Sequence, residues 1–404
     1  MIFKIAWRNV WRSRTRSGVV IGAIAIGVWS VIFLMSFSEG MIKSYIDNAI
    51  ENEISHIQIH HPEYLKETEA KFTLPSPDDM VETIGQNDHV KAITSRSMTN
   101  GMLATSHGVR GLRIRGVDPE KEALVTHLDG KVIEGEYFPE GKRNPILISQ
   151  TVAEKVQVKL RSKVVLTFQD LNGDITSGAF RVAGIYETEN QGFDQSYVFC
   201  RKADLNRLLG DANLAHEIAI ILESNELADT TAAQLRQQYA DLEVQTYKQI
   251  SPEIELFNSQ IQMSSYIFIF IFMLALIFGI VNTMLMAVLE RIKELGMLMA
   301  IGMNKVRVFF MIVLETLILG IVGAPIGILI GWGTLSYFSE RGMDLSAWSE
   351  GMREFGMSEV VYPSLSHNLY LELTIAVLIT ALIASLYPAL KAIRLRPVEA
   401  LHRI

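Results

Sequence analysis

Apolar residues concentrate in four stretches with little or no charge, separated by polar sequence. Residues 18–38 lack Asp, Glu, Lys and Arg for 21 positions and residues 264–289 for 26. Residues 308–339 carry only Glu315 in 32 positions, and 373–390 have no charge in 18. At about 1.5 Å per helical residue, each can cross a hydrocarbon core of ~30 Å. The pattern predicts four transmembrane helices, one before and three after a long polar segment.

In that long segment the periodicity changes. Strand-like runs at 56–60 (HIQIH), 112–117, 164–168, 180–186, 197–200 and 217–222 alternate with helical patterns at 41–52, 150–156, 202–208 and 227–239. Asn172-Gly173 reads as a hairpin turn, and Asp78-Asp79 as a helix start or solvated loop. A large α+β domain of two subdomains is expected, with 41–52 and 249–263 as stalk helices running into the first two spans. No internal repeat or low-complexity linker is visible.

Lys and Arg near the span ends set the orientation. Lys4, Arg8, Arg12, Arg14 and Arg16 precede the first span, and Arg291, Lys293, Lys305 and Arg307 lie between the second and third. Lys391, Arg394, Arg396 and Arg403 follow the fourth. The segment 340–372 instead sets Arg341 and Arg353 against Glu340, Asp344, Glu350, Glu354, Glu359 and Glu372. This predicts a cytoplasmic interfacial helix at 1–17, a first transmembrane helix at 18–38 and a periplasmic domain at 39–263. The second helix spans 264–289, a cytoplasmic coupling loop 290–307 and the third helix 308–339. An extracytoplasmic loop at 340–368, a fourth helix at 369–390 and a cytoplasmic tail at 391–404 complete the chain. The expected fold class is membrane α-helical in a 1+3 arrangement with a large α+β extracytoplasmic domain. Its expected location is the bacterial inner membrane, with both termini cytoplasmic. The first apolar run exceeds a signal-peptide core and reads as an anchor.

Composition fits this division. The 404 residues are 49% hydrophobic yet 20% charged, with net charge −7 and mean hydropathy +0.23. That average hides a segment 39–263 at −12 and a remainder at +5. The acidic balance excludes a nucleic-acid partner, and the aliphatic content excludes disorder. The single cysteine, Cys200, excludes a disulfide framework and reads as a small buried hydrophobe.

Catalytic chemistry is not indicated. The sequence has no Gly-x-Ser-x-Gly, Gly-x-x-x-x-Gly-Lys-Ser/Thr or His-Glu-x-x-His. His56 and His60 share a strand face with Gln58, and His61 follows, but a third ligand at metal-site spacing is missing. The chain reads as a non-enzyme that binds no metal or cofactor itself.

Several intramembrane features stand out. Gly323, Gly327 and Gly331 form a small-residue stripe with Gly320 near it, and Gly18 and Gly22 offer a similar pair. The alternative is that glycine is simply common in membrane helices. Pro325 should bend the third span, and Pro388 either bends the fourth or marks its exit. Glu315 needs a partner at its depth, expected from Lys305, Arg307 or a polar residue of a neighbouring helix. Ahead of the first span, Lys4, Arg8, Arg12 and Arg16 form one row and Phe3, Trp7 and Trp11 another. Trp7, Arg8, Trp11 and Arg12 thus read as the anchor of an interfacial helix, the alternative being an ordinary basic flank.

The most specific sequence is 281–305, VNTMLMAVLERIKELGMLMAIGMNK. After the second span come Glu290, Arg291, Lys293 and Glu294, and then Leu295, Met297, Leu298, Met299 and Ile301. As a helix this places Ile292, Leu295 and Met299 on one face, suited to docking in a groove of another protein. A mere interfacial turn is the alternative. Gly296 and Gly302 permit close approach and a sharp exit.

This segment resembles the coupling helix of the FtsX-like/MacB-like permeases, the mechanotransmission class of ABC transporters, with its Glu-Arg-x-x-Glu-Ile/Leu-Gly-x-x-x-Ala-Ile/Leu-Gly pattern. Glu290, Arg291, Glu294, Leu295, Gly296, Ala300, Ile301 and Gly302 match it. The opening AWRNVWRSRTRS, the closing YPALKAIRLRPVEAL at 387–401, Gly116-Val117-Asp118-Pro119 and Gly184-Ile185 are also similar to the family. Leu160-Arg161-Ser162 departs from it where relatives often carry a Gly-Asp turn. The resemblance implies a permease that pairs with a second permease, identical or paralogous, and borrows two copies of an ABC ATPase holding ATP and Mg. The segment 56–64 (HIQIHHPEY) is most similar to the LolC/LolE type, which extracts lipoproteins from the inner membrane. That implies a lipoprotein or amphiphilic substrate and a periplasmic carrier or adaptor. The alternatives are a MacB-like efflux permease, an FtsX-like regulator of cell-wall hydrolases, and a transmembrane sensor.

Overall fold

The computed structural model describes residues 2–365 and 367–394, and the chain divides into two compact units. A helical unit comprises Met1–Ile42, Asn258–Met343 and Val360–Ile404; a sheet unit comprises Lys43–Phe257 and Asp344–Glu359.

The helical unit is built from α1 (Ile2–Arg12), α2 (Arg14–Ala49), α3 (Pro252–Glu290), α4 (Ile292–Ala300), α5 (Lys305–Arg341) and α6 (His367–Ile393). Helices α2, α3, α5 and α6 are long and apolar enough to cross a membrane. In hydrocarbon a helix satisfies its backbone groups internally, which is why uncharged runs of this length adopt it. Ser13 separates α1 from α2, and Ser17 Oγ donates to the Val10 carbonyl across this junction. Helix α5 continues through Pro325, and α6 continues past Pro388 to Ile393, so Pro388 does not mark an exit. Of the closing motif, residues 395–401 lie outside the described residues.

The glycine stripe of α5 packs against α2. A Cβ at Gly323 would lie 2.9 Å from Ile24, at Gly327 2.6 Å from the Ala25 carbonyl oxygen, and at Gly331 2.9 Å from Ile32. Trp29 Nε1 donates to Thr334 Oγ1 of α5 at 3.1 Å, extending the same contact. Gly18 and Gly22 do not share it: a Cβ at either meets nothing within 4 Å. Among the described residues that pair therefore packs against no neighbouring helix. Helix α3 is the least covered, with 11% of its most apolar window buried against 56% for α5.

In the sheet unit, strands β1 (Ile57–His60), β2 (Val90–Ala104), β3 (Val109–Val117), β4 (Val132–Gly135) and β5 (Pro145–Ser149) are followed by β6 (Lys163–Gln169), β7 (Ile175–Tyr186), β8 (Tyr197–Arg201), β9 (Glu217–Leu222) and β10 (Glu243–Thr246). The long β2 belongs to two arrays. Its first half pairs with β9, which continues through β1 to β10, all antiparallel. Its second half pairs with both β3 and β6, and the order β2-β3-β8-β5-β7-β6 returns to β2 as a closed ring. Alternate residues fill the ring, among them Leu103, Ile114, Ile148, Leu166, Phe180, Val198 and Cys200, all buried. Burial raises the Cys200 thiol well above its ordinary range. Gly173, at φ 84, turns β6 into β7, and Asp170 Oδ1 accepts from the Asn172 and Asp174 amides. Arg161 sits at φ 66, a left-handed position that favours glycine.

The four-stranded array buries Ile57, Ile59, Ile218 and Ile220 in one core with Met80, Ile84, Ala232 and Leu235 of two helices. Its other side holds a buried charge cluster. Arg96 gives Nε and Nη2 to the Glu122 carboxylate at 3.0 and 2.7 Å, and Nη1 to Glu217 at 2.7 Å. Glu217 Oε2 is 3.6 Å from His60 Nε2. Burial draws His60 below its ordinary range, against the pull of Glu217. His56 pairs with Asn225 at 2.7 Å and accepts from the Leu222 amide at 3.2 Å, while His61 stacks on Phe72. These histidines thus serve the packing of the sheet.

The segment Asp344–Glu359 also belongs to this unit. Arg353 reaches Glu187 at 2.6 Å and Asp194 at 3.7 Å, and Asn48 Nδ2 donates to the Gly356 carbonyl at 3.3 Å. Burial pushes Asp194 up from 3.8 to about 6, against the Thr188 hydrogen bonds and the Arg353 charge that hold it down.

Two predictions follow from these contacts. Gly327→Ala should lower thermal stability in detergent by roughly 1–3 kcal/mol, because the Ala25 carbonyl cannot move aside. Gly22→Ala should be neutral, and equal effects would refute the packing asymmetry. The folded chain holds the Asp194 proton to higher pH than the unfolded chain, so this residue favours the fold below its ordinary 3.8. That contribution is lost as pH rises through about 6. Asp194→Asn should flatten the melting temperature against pH in this window, and Arg353→Ala should move the Asp194 titration upward.

Candidate functional site

The 281–305 segment forms the end of α3, the short helix α4 and the start of α5. Only Arg291 separates α3 from α4. Helix α4 ends in a Schellman motif: the Gly302 amide donates to Met299 O at 3.1 Å and the Met303 amide to Leu298 O at 3.0 Å. Gly302 stands at φ 102, where any other side chain is strained. Asn304 then caps α5, its Oδ1 accepting from the Val306 amide at 3.1 Å.

A polar network ties this turn to α1 and α5. Glu315 accepts from Asn9 Nδ2 at 2.7 Å, and Arg291 Nη1 lies 3.4 Å from its carboxylate. Arg291 Nε also reaches Glu294 at 3.2 Å, Glu294 pairs with Arg12 at 3.0 Å, and Glu290 pairs with Arg16. Partial burial pushes the Glu294 carboxyl up, but Arg291 and Arg12 hold it below its ordinary range. The partners of Glu315 are therefore Arg291 and Asn9, not Lys305 or Arg307. Arg307 is eight positions along the same helix, a rise of ~12 Å, and faces solvent.

The apolar faces also differ from expectation. Ile292, Leu295 and Gly296 are buried within the chain and Met299 is half-buried. The exposed side of the turn is Lys293, Met297 (52%), Ala300 and Ile301 (79%), with Gly302 beside them. Periodicity identified an apolar helix here, but it could not tell the face packed inward from the face left open.

Helix α1 shows three faces. Phe3, Trp7 and Trp11 are exposed and pack in sequence, Phe3–Trp7 stacked at 6.4 Å and Trp7–Trp11 edge to face at 5.9 Å between ring centroids. Arg8 is exposed, whereas Arg12 is engaged by Glu294. Ala6 and Val10 are buried in the core of the helical unit, a third face that the aromatic and basic rows conceal. Asn9, unremarked in the sequence pattern, is the polar link to Glu315; an uncompensated carboxylate in an apolar helix was the signal that such a residue had to exist.

Residues 17–238 match the MacB-like periplasmic core domain and residues 266–397 the C-terminal region of FtsX-like permeases. The pyoverdine export ATP-binding/permease protein PvdT of Pseudomonas putida is 24% identical over 345 residues, covering 80% of this chain and 50% of that protein. The macrolide export ATP-binding/permease protein MacB of Hyphomonas neptunium is 22% identical over 359 residues, covering 85% of this chain and 54% of that protein. An uncharacterized ABC transporter permease of Bacillus subtilis, YvrN, is 22% identical over 426 residues, covering 99% and 98%. The chain spans about half the length of these export proteins and nearly all of YvrN.

Removing one member of the Glu315 network should leave a buried charge unpaired. Arg291→Met should destabilise the protein by roughly 3 kcal/mol, the low end for a broken buried pair, and Arg291→Met with Glu315→Gln should recover much of the loss. Additive losses in thermal unfolding of the purified variants would show that the two side chains are not coupled.

Proposed function

We propose, for a chain that belongs to the FtsX-like permeases with a MacB-like periplasmic core domain, that it is driven by ABC ATPase subunits docking on α4. The observation that carries this reading is the open face of α4, Met297, Ala300 and Ile301, on a turn held by the ion pairs around Arg291. An apolar tip on a braced helix suits a groove in a partner protein. Two ATPase copies would hold ATP and Mg, and this chain would transmit their closure rather than perform chemistry.

In this reading the four long helices cross the inner membrane in a 1+3 arrangement, with both termini and α4 inside and the sheet unit in the periplasm. The excess of Lys and Arg beside α1, α4 and the end of α6 supports that orientation. Helix α1 lies at the inner interface through Trp7 and Trp11. A second permease, a copy or a paralogue, covers the sparsely buried α3, whose exposed residues include Phe270, Leu274 and Phe278.

The cargo is an amphiphile handled on the periplasmic side, passed to a carrier or adaptor. The relatives named for pyoverdine and macrolide export favour a small exported amphiphile. Lipoprotein release rests on the likeness of 56–64 to the LolC/LolE type. Gln58 and His60 of that segment are buried in the hydrogen bonds of the sheet, so they lend the lipoprotein reading no separate support. Depletion of the protein followed by membrane fractionation separates the two. Acylated proteins retained in the inner membrane would favour release, and normal sorting with an exported compound accumulating inside would favour export.

The docking face makes a sharp test. Ile301→Asp and Met297→Asp should abolish co-purification of the ATPase while leaving thermal stability within about 0.5 kcal/mol, as for exposed positions. Leu295→Asp should instead destabilise the protein itself, because Leu295 is 3% exposed. Intact ATPase association in Ile301→Asp would sink the docking proposal.

A further inference from the structure

Inside the sheet unit a buried cation has two nitrogens without an acceptor among the described residues. Arg115 on β3 is 2% exposed, and its Nε and Nη1 are buried with no hydrogen-bond partner among the described residues. The acids of the neighbourhood are already engaged. Glu122 and Glu217 are each 2.7 Å from Arg96, and Glu53 accepts from the Tyr197 hydroxyl at 2.7 Å. What Arg115 touches is aromatic: its guanidinium lies 4.5 Å from the Tyr197 ring centroid and 5.9 Å from those of Phe193 and Phe199. Ring faces attract the charge but cannot accept five N–H groups.

Arg115 is among the residues lining a cavity of about 190 Å³, together with Tyr64, Leu65, Met98, Arg113 and Tyr197. Arg113 adds a second cation at the wall. Its Nη1 donates to the Tyr197 hydroxyl at 2.7 Å and lies 4.0 Å from Glu53. Two guanidiniums, two phenols and an apolar flank thus converge on a space smaller than the ~300 Å³ at which drug-sized sites begin. Arginine is the side chain best matched to planar or tetrahedral oxyanions.

We propose that this cavity binds a compact organic oxyanion, a carboxylate or phosphate monoester bearing a small apolar or aromatic group, with Arg115 and Arg113 donating to its oxygens. The aromatic and apolar walls take the organic part, and the oxyanion supplies a counter-charge to Arg115 and Arg113. This site is independent of the ATPase-docking reading and of the cargo assignment.

The test uses the full-length protein in detergent at fixed ionic strength, with benzoate, phenyl phosphate and the neutral benzamide as probes. Calorimetry and thermal shift should show saturable binding of benzoate or phenyl phosphate, whichever oxyanion the site prefers, and none of benzamide. Arg115→Met should weaken the preferred probe about tenfold or more, the loss expected for one charge-assisted contact. The exposed Arg113→Met should fold normally and weaken it less. If Arg115→Met does not fold, Arg115→Lys keeps the charge, loses the planar fork and should bind measurably more weakly. Benzamide binding as tightly as both anions would overturn the proposal. So would wild-type affinity in Arg115→Met, or in Arg115→Lys and Arg113→Met together.

Discussion

A carboxylate in an apolar helix must find a cation, a donor or water, and Glu315 is the group on which the helical unit turns. It draws in two segments from outside α5: Asn9 from α1 and Arg291 from the joint between α3 and α4. Once Asn9 is held there, α1 buries Ala6 and Val10, and Phe3, Trp7 and Trp11 are left outward. With Arg291 held, Ile292 and Leu295 turn inward, and Met297, Ala300 and Ile301 point out. One charge requirement thereby sets which faces of two amphipathic helices are hidden and which are left exposed.

The sheet unit meets a similar requirement differently. Arg96 is fully buried but complete, with Glu122 and Glu217 taking its Nε and both of its terminal nitrogens. A buried pair of this kind adds little net stability over apolar packing, yet breaking it is costly, so it disfavours alternative registers of β2 against β9. Because β2 also closes the ring through β3 and β6, a slip in one array would displace the other. Arg115 stands apart because its charge is enclosed and its Nε and Nη1 have no hydrogen-bond partner among the described residues.

Much of this was legible in the sequence, for reasons that differ by element. The four long apolar helices follow from absence of charge, which needs no tertiary information. Strands β1, β3, β6, β7, β8 and β9 and the Asn172-Gly173 turn were visible through local residue type. Strand β2 was not, because Ser95, Arg96, Ser97 and Thr99 are buried polar residues that break any alternation of apolar and polar positions. Ring closure is likewise invisible, since it depends on pairings between distant segments. Among the described residues Gly323, Gly327 and Gly331 meet a partner helix whereas Gly18 and Gly22 do not, although both carry the same spacing. Small residues permit close approach without specifying what approaches.

The proposed coupling role asks a short helix, α4, to transmit force. A nine-residue helix is not stable alone in water, so its shape must be imposed by its surroundings. Here the Schellman motif fixes one end, Arg291 binds the other to Glu315, and Arg12 and Arg16 clamp Glu294 and Glu290 from the N-terminal side. Under the proposed role, a push on Met297 and Ile301 cannot be absorbed by bending α4 without breaking several of these contacts at once. It is passed to α3 through the single-residue joint and to α5 through the Asn304 cap. From α5 it reaches α2 through the glycine stripe, where backbone-to-side-chain contact leaves little slack. The exposed ion pairs contribute little to stability individually, but as a set they make the turn stiff, and stiffness is the property that coupling requires.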